Sequence, residues 1–126
     1  MANVTQLIHK DDHKMVCFLT GNKSGLKGFI AIHRGNNKYP SFGATRIWNY
    51  KSENDALEDA LRLSKLMSYK AALAGLKCGG AKGIIHIDDN VFDKSVLLKA
   101  YAERVNCLGG SFITGADVGV SREDVI

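Results

Sequence analysis

No apolar run in this chain is long enough to cross a bilayer, and the opening MANVTQLIHKDDHK is too polar for a signal peptide. A membrane partner is therefore excluded by the reading. Runs of like charge are missing as well: 17 Lys and Arg against 13 Asp and Glu leave a net charge of +4, scattered singly and without a basic stripe laced with aromatics. Nucleic acid is excluded on the same ground. Cysteine is scarce. Cys17, Cys78 and Cys107 are odd in number, far apart and without a Cys-x-x-Cys, which rules out a disulfide frame or a zinc site and fits reduced thiols in a cytoplasmic protein. Cys78, beside glycines, is read as a buried structural thiol. The histidines, His9, His13, His33 and His86, form no metal motif, so no metal is expected; His33 and His86 fall in strand-like runs, as core or edge imidazoles do.

What is present is material for one core. With 126 residues, 45% of them hydrophobic, the chain has no room for two ordinary domains and is read as one, residues 1–126. KMVCFLT (residues 14–20) and KGFIAIH (27–33), joined by a glycine-containing loop, predict a hairpin. A loop over residues 34–40 carries the only proline, and residues 42–50 alternate as a third strand. Ser52-Glu53-Asn54-Asp55 has the form of a capping box and opens a helix that runs to about Ala74, with Gly75 as its stop. A strand over residues 83–87 follows, then a loop at Asp88-Asp89-Asn90 and a second helix from about Lys94 to Leu108. That helix buries Leu97, Tyr101, Val105 and Leu108 and ends at Gly109-Gly110. Phe112-Ile113-Thr114 is a short strand, and Ser121-Arg122-Glu123-Asp124 is a fresh capping box cut off at Ile126, from which the chain is read as the front part of a longer protein. The alternation of strand and helix predicts an α/β fold, an open mixed sheet with helices packed on it.

The stretch that organises the chain is MSYKAALAGLKCGGAK, residues 67–82, in which two lysines stand twelve positions apart around an alanine-rich helical turn and a glycine pair. Helical spacing places Lys70 on one face with Met67, Ala71 and Ala74, an apolar and small-sided surface apart from the amine. Lys82 follows Cys78-Gly79-Gly80-Ala81 and is expected where a glycine-rich turn enters the sheet, a place a ligand can approach closely. An amine can be a fixed cation for a carboxylate or, when desolvated, a general base, and two amines in one small site favour such a division of labour. Gly115-Ala116-Asp117-Val118-Gly119 adds a glycine-flanked acid at a strand end, where open α/β sheets place ligand groups. Each of the three read singly is equally a solvated surface charge.

The stretches GFIAIH, GATRIWNY, ALEDALRLSKLMSYKAALAGLKCGGAK and SFITGADVGV resemble the amino-terminal substrate-binding and oligomerisation domain of the amino-acid dehydrogenases that act on glutamate, leucine, phenylalanine and valine. The resemblance runs over about residues 14–126 and is nearer the leucine and phenylalanine branch. It implies oxidative deamination of an amino acid to its 2-oxo acid and ammonia with NAD or NADP, in a homo-oligomer. Carried over by position, Lys70 matches the lysine that holds the substrate carboxylate, Lys82 the catalytic lysine that activates water, and Asp117 the acid that exchanges a proton with the substrate amine. Met67, Phe42, Gly43 and Gly115 match substrate-contacting positions. Phe42 stands where glutamate-specific relatives have a lysine, which implies an apolar or aromatic substrate, because an acidic one would leave its side-chain charge unpaired. Two features depart from the pattern: Ala44 replaces a second glycine after Gly43, and no Gly-x-Gly-x-x-Gly occurs in the 126 residues, so the chain has no nicotinamide-binding domain and is expected to be inactive alone.

Two other readings compete. GLKCGGAKG nearly spells a phosphate-binding loop, but Ala81 precedes the lysine and Gly83 occupies the place of the magnesium-binding Ser or Thr. The other is a non-catalytic oligomerisation module that associates through its amino-terminal strands.

Overall fold

A computed structural model describes residues 3–35, 39–88, 92–115, 117, 119–121 and 123–125. The expectations that fell on Asn36, Asn37, Lys38, Asp89, Asn90, Ala116, Val118, Arg122 and Ile126 lie outside them. The chain runs α1 (Val4–Lys10), β1 (Met15–Gly21), β2 (Leu26–Ile32), β3 (Ser41–Trp48), α2 (Glu53–Leu73), β4 (Gly79–His86), α3 (Lys94–Asn106) and β5 (Phe112–Gly115), with a last 3-10 turn at Glu123–Val125. The five strands form one mixed sheet in the order β1-β2-β4-β3-β5. β1 and β2 are the predicted hairpin, β2 and β4 are antiparallel, and β3 runs parallel to both β4 and β5.

The helix α2 forms where its sequence signals put it. Ser52 accepts the Asp55 N–H as N-cap, alanines and leucines propagate the helix, and Gly75 turns away at φ 72° just past the Ala74 C-cap. Its Ala56, Leu57, Ala60 and Leu61 are buried against Phe29, Ala31 and Ile84 on one face of the sheet. The small alanines let the helix lie close on those strands. α3, capped by Asp93, packs on the opposite face with Leu97 and Tyr101 against Ile30, Ile32, Ile47, Ala81 and Ile85. Each fully buried Leu or Ile stabilises the fold by about 1.5–3 kcal/mol over leaving it in water.

Two sequence expectations are corrected. β4 begins at Gly79, four residues earlier than predicted, so Gly79-Gly80-Ala81-Lys82 is strand and not a turn entering one. The glycines are needed because neighbouring backbone occupies their side-chain space: a Cβ on Gly80 would lie 2.0 Å from the Ser68 nitrogen of α2. The amino-terminal helix α1, read from sequence only as a polar start, is closed by a capping box between Asn3 and Gln6.

Candidate functional site

Strand pleating sorts the side chains of the central strands into two sets. Phe42, Ala44 and Arg46 of β3, Lys82 and Ile84 of β4, and Ile113 and Gly115 of β5 share the face that carries α2; the pairings Phe42 with Gly80, Arg46 with Ile84, Phe42 with Ile113 and Ala44 with Gly115 fix them side by side. α2 covers the β2 and β4 part of this face. Over β3 and β5 the face is open, and Phe42 and Ile113 are 43% and 47% exposed.

At the border between the covered and the open part lies a chain of alternating charge. Lys82 is buried, with 5% of its surface exposed, and its Nζ donates to Asp117 Oδ2 at 2.5 Å. The same oxygen accepts Arg46 Nε at 3.0 Å. Arg46 Nη1 in turn lies 3.2 Å from Asp59 Oδ2 on α2, where the Tyr50 hydroxyl also donates, and Arg62 Nη2 holds the other Asp59 oxygen at 2.7 Å. Asp117 lies beyond β5, where its N–H and C=O pair with Val120. Burial works against the Arg46 charge, but its contacts with Asp117 and Asp59 outweigh that and hold the guanidinium firmly protonated. Burial likewise works against the Asp59 carboxylate, and Tyr50, Arg62 and Arg46 together pull it below the ordinary carboxylate range. The Tyr50 hydroxyl is pushed up, first by burial and then by Asp59, and stays a neutral donor.

The predicted residues are placed unequally around this chain. Lys82 and Asp117 are in direct contact. Phe42 and Gly115 adjoin each other, the ring tip of Phe42 lying 3.9 Å from where a Cβ on Gly115 would stand. Gly43 is buried and, by alternation, turned to the α3 face, its side-chain space filled by the Ala81 carbonyl, so its backbone alone borders the site. Met67 is partly buried at the point where α2 crosses Gly80.

Lys70 is not on the buried stripe of α2; Ala71 is, and both Lys70 and Ala74 are exposed. The structure does not bring the Lys70 amine into contact with Lys82 or Asp117. Its direction follows from helix geometry, since the step from Asp59 to Lys70 is close to three turns and returns to within roughly 20° of the same side. Lys70 thus projects from the side of α2 that faces β3, further toward the start of β4. Arg46, Asp59 and Tyr50 escaped the sequence reading. The available signal was the alternation Phe42, Ala44, Arg46, which puts an arginine on the face of Lys82.

The remaining polar candidates are structural. His33 is buried with both ring nitrogens engaged, by Ser68 and by the Asp11 carbonyl. His86 bonds the Tyr50 carbonyl through Nε2. Cys17, Cys78 and Cys107 are free thiols; Cys78 is half-buried, not buried as expected. Among the described residues no three His, Cys, Asp or Glu are grouped to hold a metal, and no helix is long and apolar enough to cross a membrane.

Residues 13–126 match the family described as Glu/Leu/Phe/Val dehydrogenase, dimerisation domain. The chain belongs to this family. It is 44% identical over 123 residues to leucine dehydrogenase of Bacillus cereus, covering 97% of this chain and 33% of that protein. Phenylalanine dehydrogenase of Bacillus thermotolerans is 42% identical over 127 residues, covering 100% and 33%. The crystal structure of L-tryptophan dehydrogenase from Nostoc punctiforme superposes with a TM-score of 0.87 at 40% identity, over 98% of this chain and 36% of that one. The chain thus spans about a third of the length of the relatives it matches.

Proposed function

We propose that this chain is the substrate-binding and subunit-association part of an NAD- or NADP-dependent amino-acid dehydrogenase that converts an apolar or aromatic L-amino acid and water to the 2-oxo acid and ammonia. The observation that carries the reading is the contact of buried Lys82 with half-buried Asp117 at the rim of an open apolar face floored by Phe42, Ala44, Ile113 and Gly115. The substrate's carboxylate lies toward the Lys70 ammonium, its side chain on the apolar floor and its amino group at Asp117. Phe42 gives an acidic side chain no counter-charge.

Before substrate enters, the Lys82 ammonium and the Asp117 carboxylate neutralise each other. A substrate ammonium that takes Asp117 as its partner displaces Lys82 beside the fixed positive charge of Arg46. Lys82 then serves as base toward the water that attacks the imine carbon. Asp117 carries the proton to and from the substrate nitrogen. The chemistry that a nicotinamide would supply is a hydride acceptor for Cα. The 126 residues hold no glycine-rich pyrophosphate loop and do not fit the dinucleotide, so its binding falls outside this chain. A cytoplasmic location agrees with the three free thiols.

The test is a screen of the whole polypeptide against leucine, valine, phenylalanine, tryptophan and glutamate with NAD and NADP. NAD(P)-linked deamination of an apolar or aromatic substrate that disappears in Lys82→Ala supports the reading, and full activity in Lys82→Ala overturns it. Association has its own observation: β1 is an edge strand that exposes Met15 and, at 61%, Phe18. Gel filtration of the chain gives an oligomer on this reading and a strict monomer at high concentration against it.

A further inference from the structure

The two lysines of the proposed site belong to different elements, Lys70 to the end of α2 and Lys82 to β4, and their spacing depends on how those elements are joined. Two residues before Lys70, Ser68 Oγ bonds the Gly80 N–H at 3.0 Å, two residues before Lys82. The same hydroxyl lies 2.9 Å from His33 Nδ1. Donor chemistry fixes the direction of each bond. The partner of His33 Nε2 is the Asp11 carbonyl, at 3.0 Å, which can only accept. Nε2 therefore carries the ring hydrogen, and Nδ1 of the neutral ring is an acceptor. Ser68 must then donate to His33 and accept from Gly80, a single continuous chain from the β4 backbone through α2 to the end of β2. The Gly80 carbonyl is held as well, by the His33 N–H at 2.8 Å.

The joint needs a glycine at position 80, because a Cβ there would lie 2.0 Å from the Ser68 nitrogen and 2.5 Å from its Oγ. Past Ser68, Ala71 is buried, whereas Tyr69, Lys70, Ala72 and Leu73 are exposed.

We propose that Ser68, oriented by His33, is a positioning residue that sets the distance between the Lys70 and Lys82 amines and through it the affinity for the amino-acid substrate. The proposal rests on the dehydrogenase reading above. A displacement of Lys70 weakens the hold on the substrate carboxylate while leaving Lys82 and Asp117 in contact, so the effect falls on KM more than on kcat.

The experiment compares Ser68→Ala and Ser68→Thr in the whole polypeptide, by steady-state kinetics and by hydrogen exchange of the Gly80 amide. Ser68→Ala is expected to raise KM for the amino acid roughly ten- to a hundredfold, with kcat changed by less than about threefold, and to speed exchange at Gly80. Ser68→Thr, which keeps the hydroxyl, restores both. Fast exchange at Gly80 with an unchanged KM overturns the proposal, as does an equal rise of KM in the alanine and threonine variants. If Ser68→Ala does not fold, His33→Phe removes the ring acceptor and leaves the serine; a rise in KM above that in kcat supports the proposal, and equal effects on the two overturn it. Failure of the dehydrogenase reading is seen separately, as activity retained in Lys82→Ala, while the Gly80 exchange result stands whichever way that falls.

Discussion

The two faces of the sheet are built from the same strands and do opposite things. The α3 face is the more fully packed: Ile30, Ile32, Ile47 and Ile85 pack on Leu97 and Tyr101, and its polar groups, Thr45, Thr114 and the Tyr101 hydroxyl, bond one another beside a cleft of about 220 Å³ along α3. The α2 face is filled over β2 and β4 only, and at the border of the helix it carries Lys82, Asp117, Arg46 and Asp59. A buried charge has a desolvation cost that apolar side chains do not, and partners offset it in part. The fold's stability therefore belongs mainly to the first face, and the second gives up packing for charge.

The sharpest way to break that comparison is to change two residues of β4, three positions apart, that point to opposite sides. Ile85→Ala, a fully buried site on the α3 face, is expected to cost about 2–5 kcal/mol, read as a shift of the urea midpoint. Lys82→Met keeps the volume and removes one charge, while Asp117 retains Arg46. Its stability is expected to move by less than about 1.5 kcal/mol, while turnover in the whole polypeptide falls by roughly 10²- to 10⁴-fold. Equal loss of stability in the two variants would show that the charged border holds the fold as firmly as the core.

Next in size is Lys70→Ala. This amine is exposed and without an ion-pair partner among the described residues, so its removal leaves the urea midpoint within about 0.5 kcal/mol of the parent. It is expected to raise KM for the amino acid roughly ten- to a hundredfold through loss of one charge-assisted hydrogen bond. A destabilised Lys70→Ala would mean that the open half of the α2 face is structural after all.

Tyr101→Phe makes a smaller test on the other face. The Tyr101 hydroxyl lies 2.6 Å from Thr45 Oγ1, and Thr45 still has Thr114 when it is gone. The expected loss is about 1 kcal/mol with KM and kcat unchanged. A change in kcat here would couple the packed face to the site and erase the distinction.

Much of this division is legible in the sequence. The Ser52 cap and the Gly75 stop are local signals, and α2 follows them. Lys82 and Asp117 could be paired because each stands beside glycines in a strand context. The start of β4 was illegible because Gly79-Gly80 has the composition of a turn, and the reason for those glycines, the backbone of Arg34 and of α2 in their side-chain space, is a tertiary contact. Lys70 was put on the apolar stripe because Met67 and Ala71 flank it at helical spacing. Which side of a helix faces the sheet at its end is settled by packing, and there Ala71 is the buried residue. The Arg46–Asp59 pair links a strand to the next helix, and nothing local marks an arginine for a particular acid. α1 is too short for periodicity to register.

A last test separates the two faces by acid. His13 and His33 stand edge to face at 4.7 Å beneath α2, with His13 bonded to the Leu61 carbonyl and Ser64, and burial holds both rings below the ordinary histidine value of 6.5. For His13 the nearby charges are Asp11, which favours the protonated ring, and Arg34 and Lys65, which oppose it. With the folded pKa depressed, the unfolded chain binds more protons in mild acid. The stability from these two rings is therefore complete above the unfolded value and is lost as the pH falls through the folded ones, at up to about 1.4 kcal/mol per ring per pH unit. On the α3 face Tyr101 titrates far from this range, because burial pushes its hydroxyl up. Native-state hydrogen exchange at pH 7.5 and 5.5, corrected for the intrinsic rates, is expected to lose protection in α2 first and to leave α3 with its protection, and His13→Gln is expected to shrink the α2 change. Equal loss in both helices would mean that they open as one unit and that acid does not distinguish the faces.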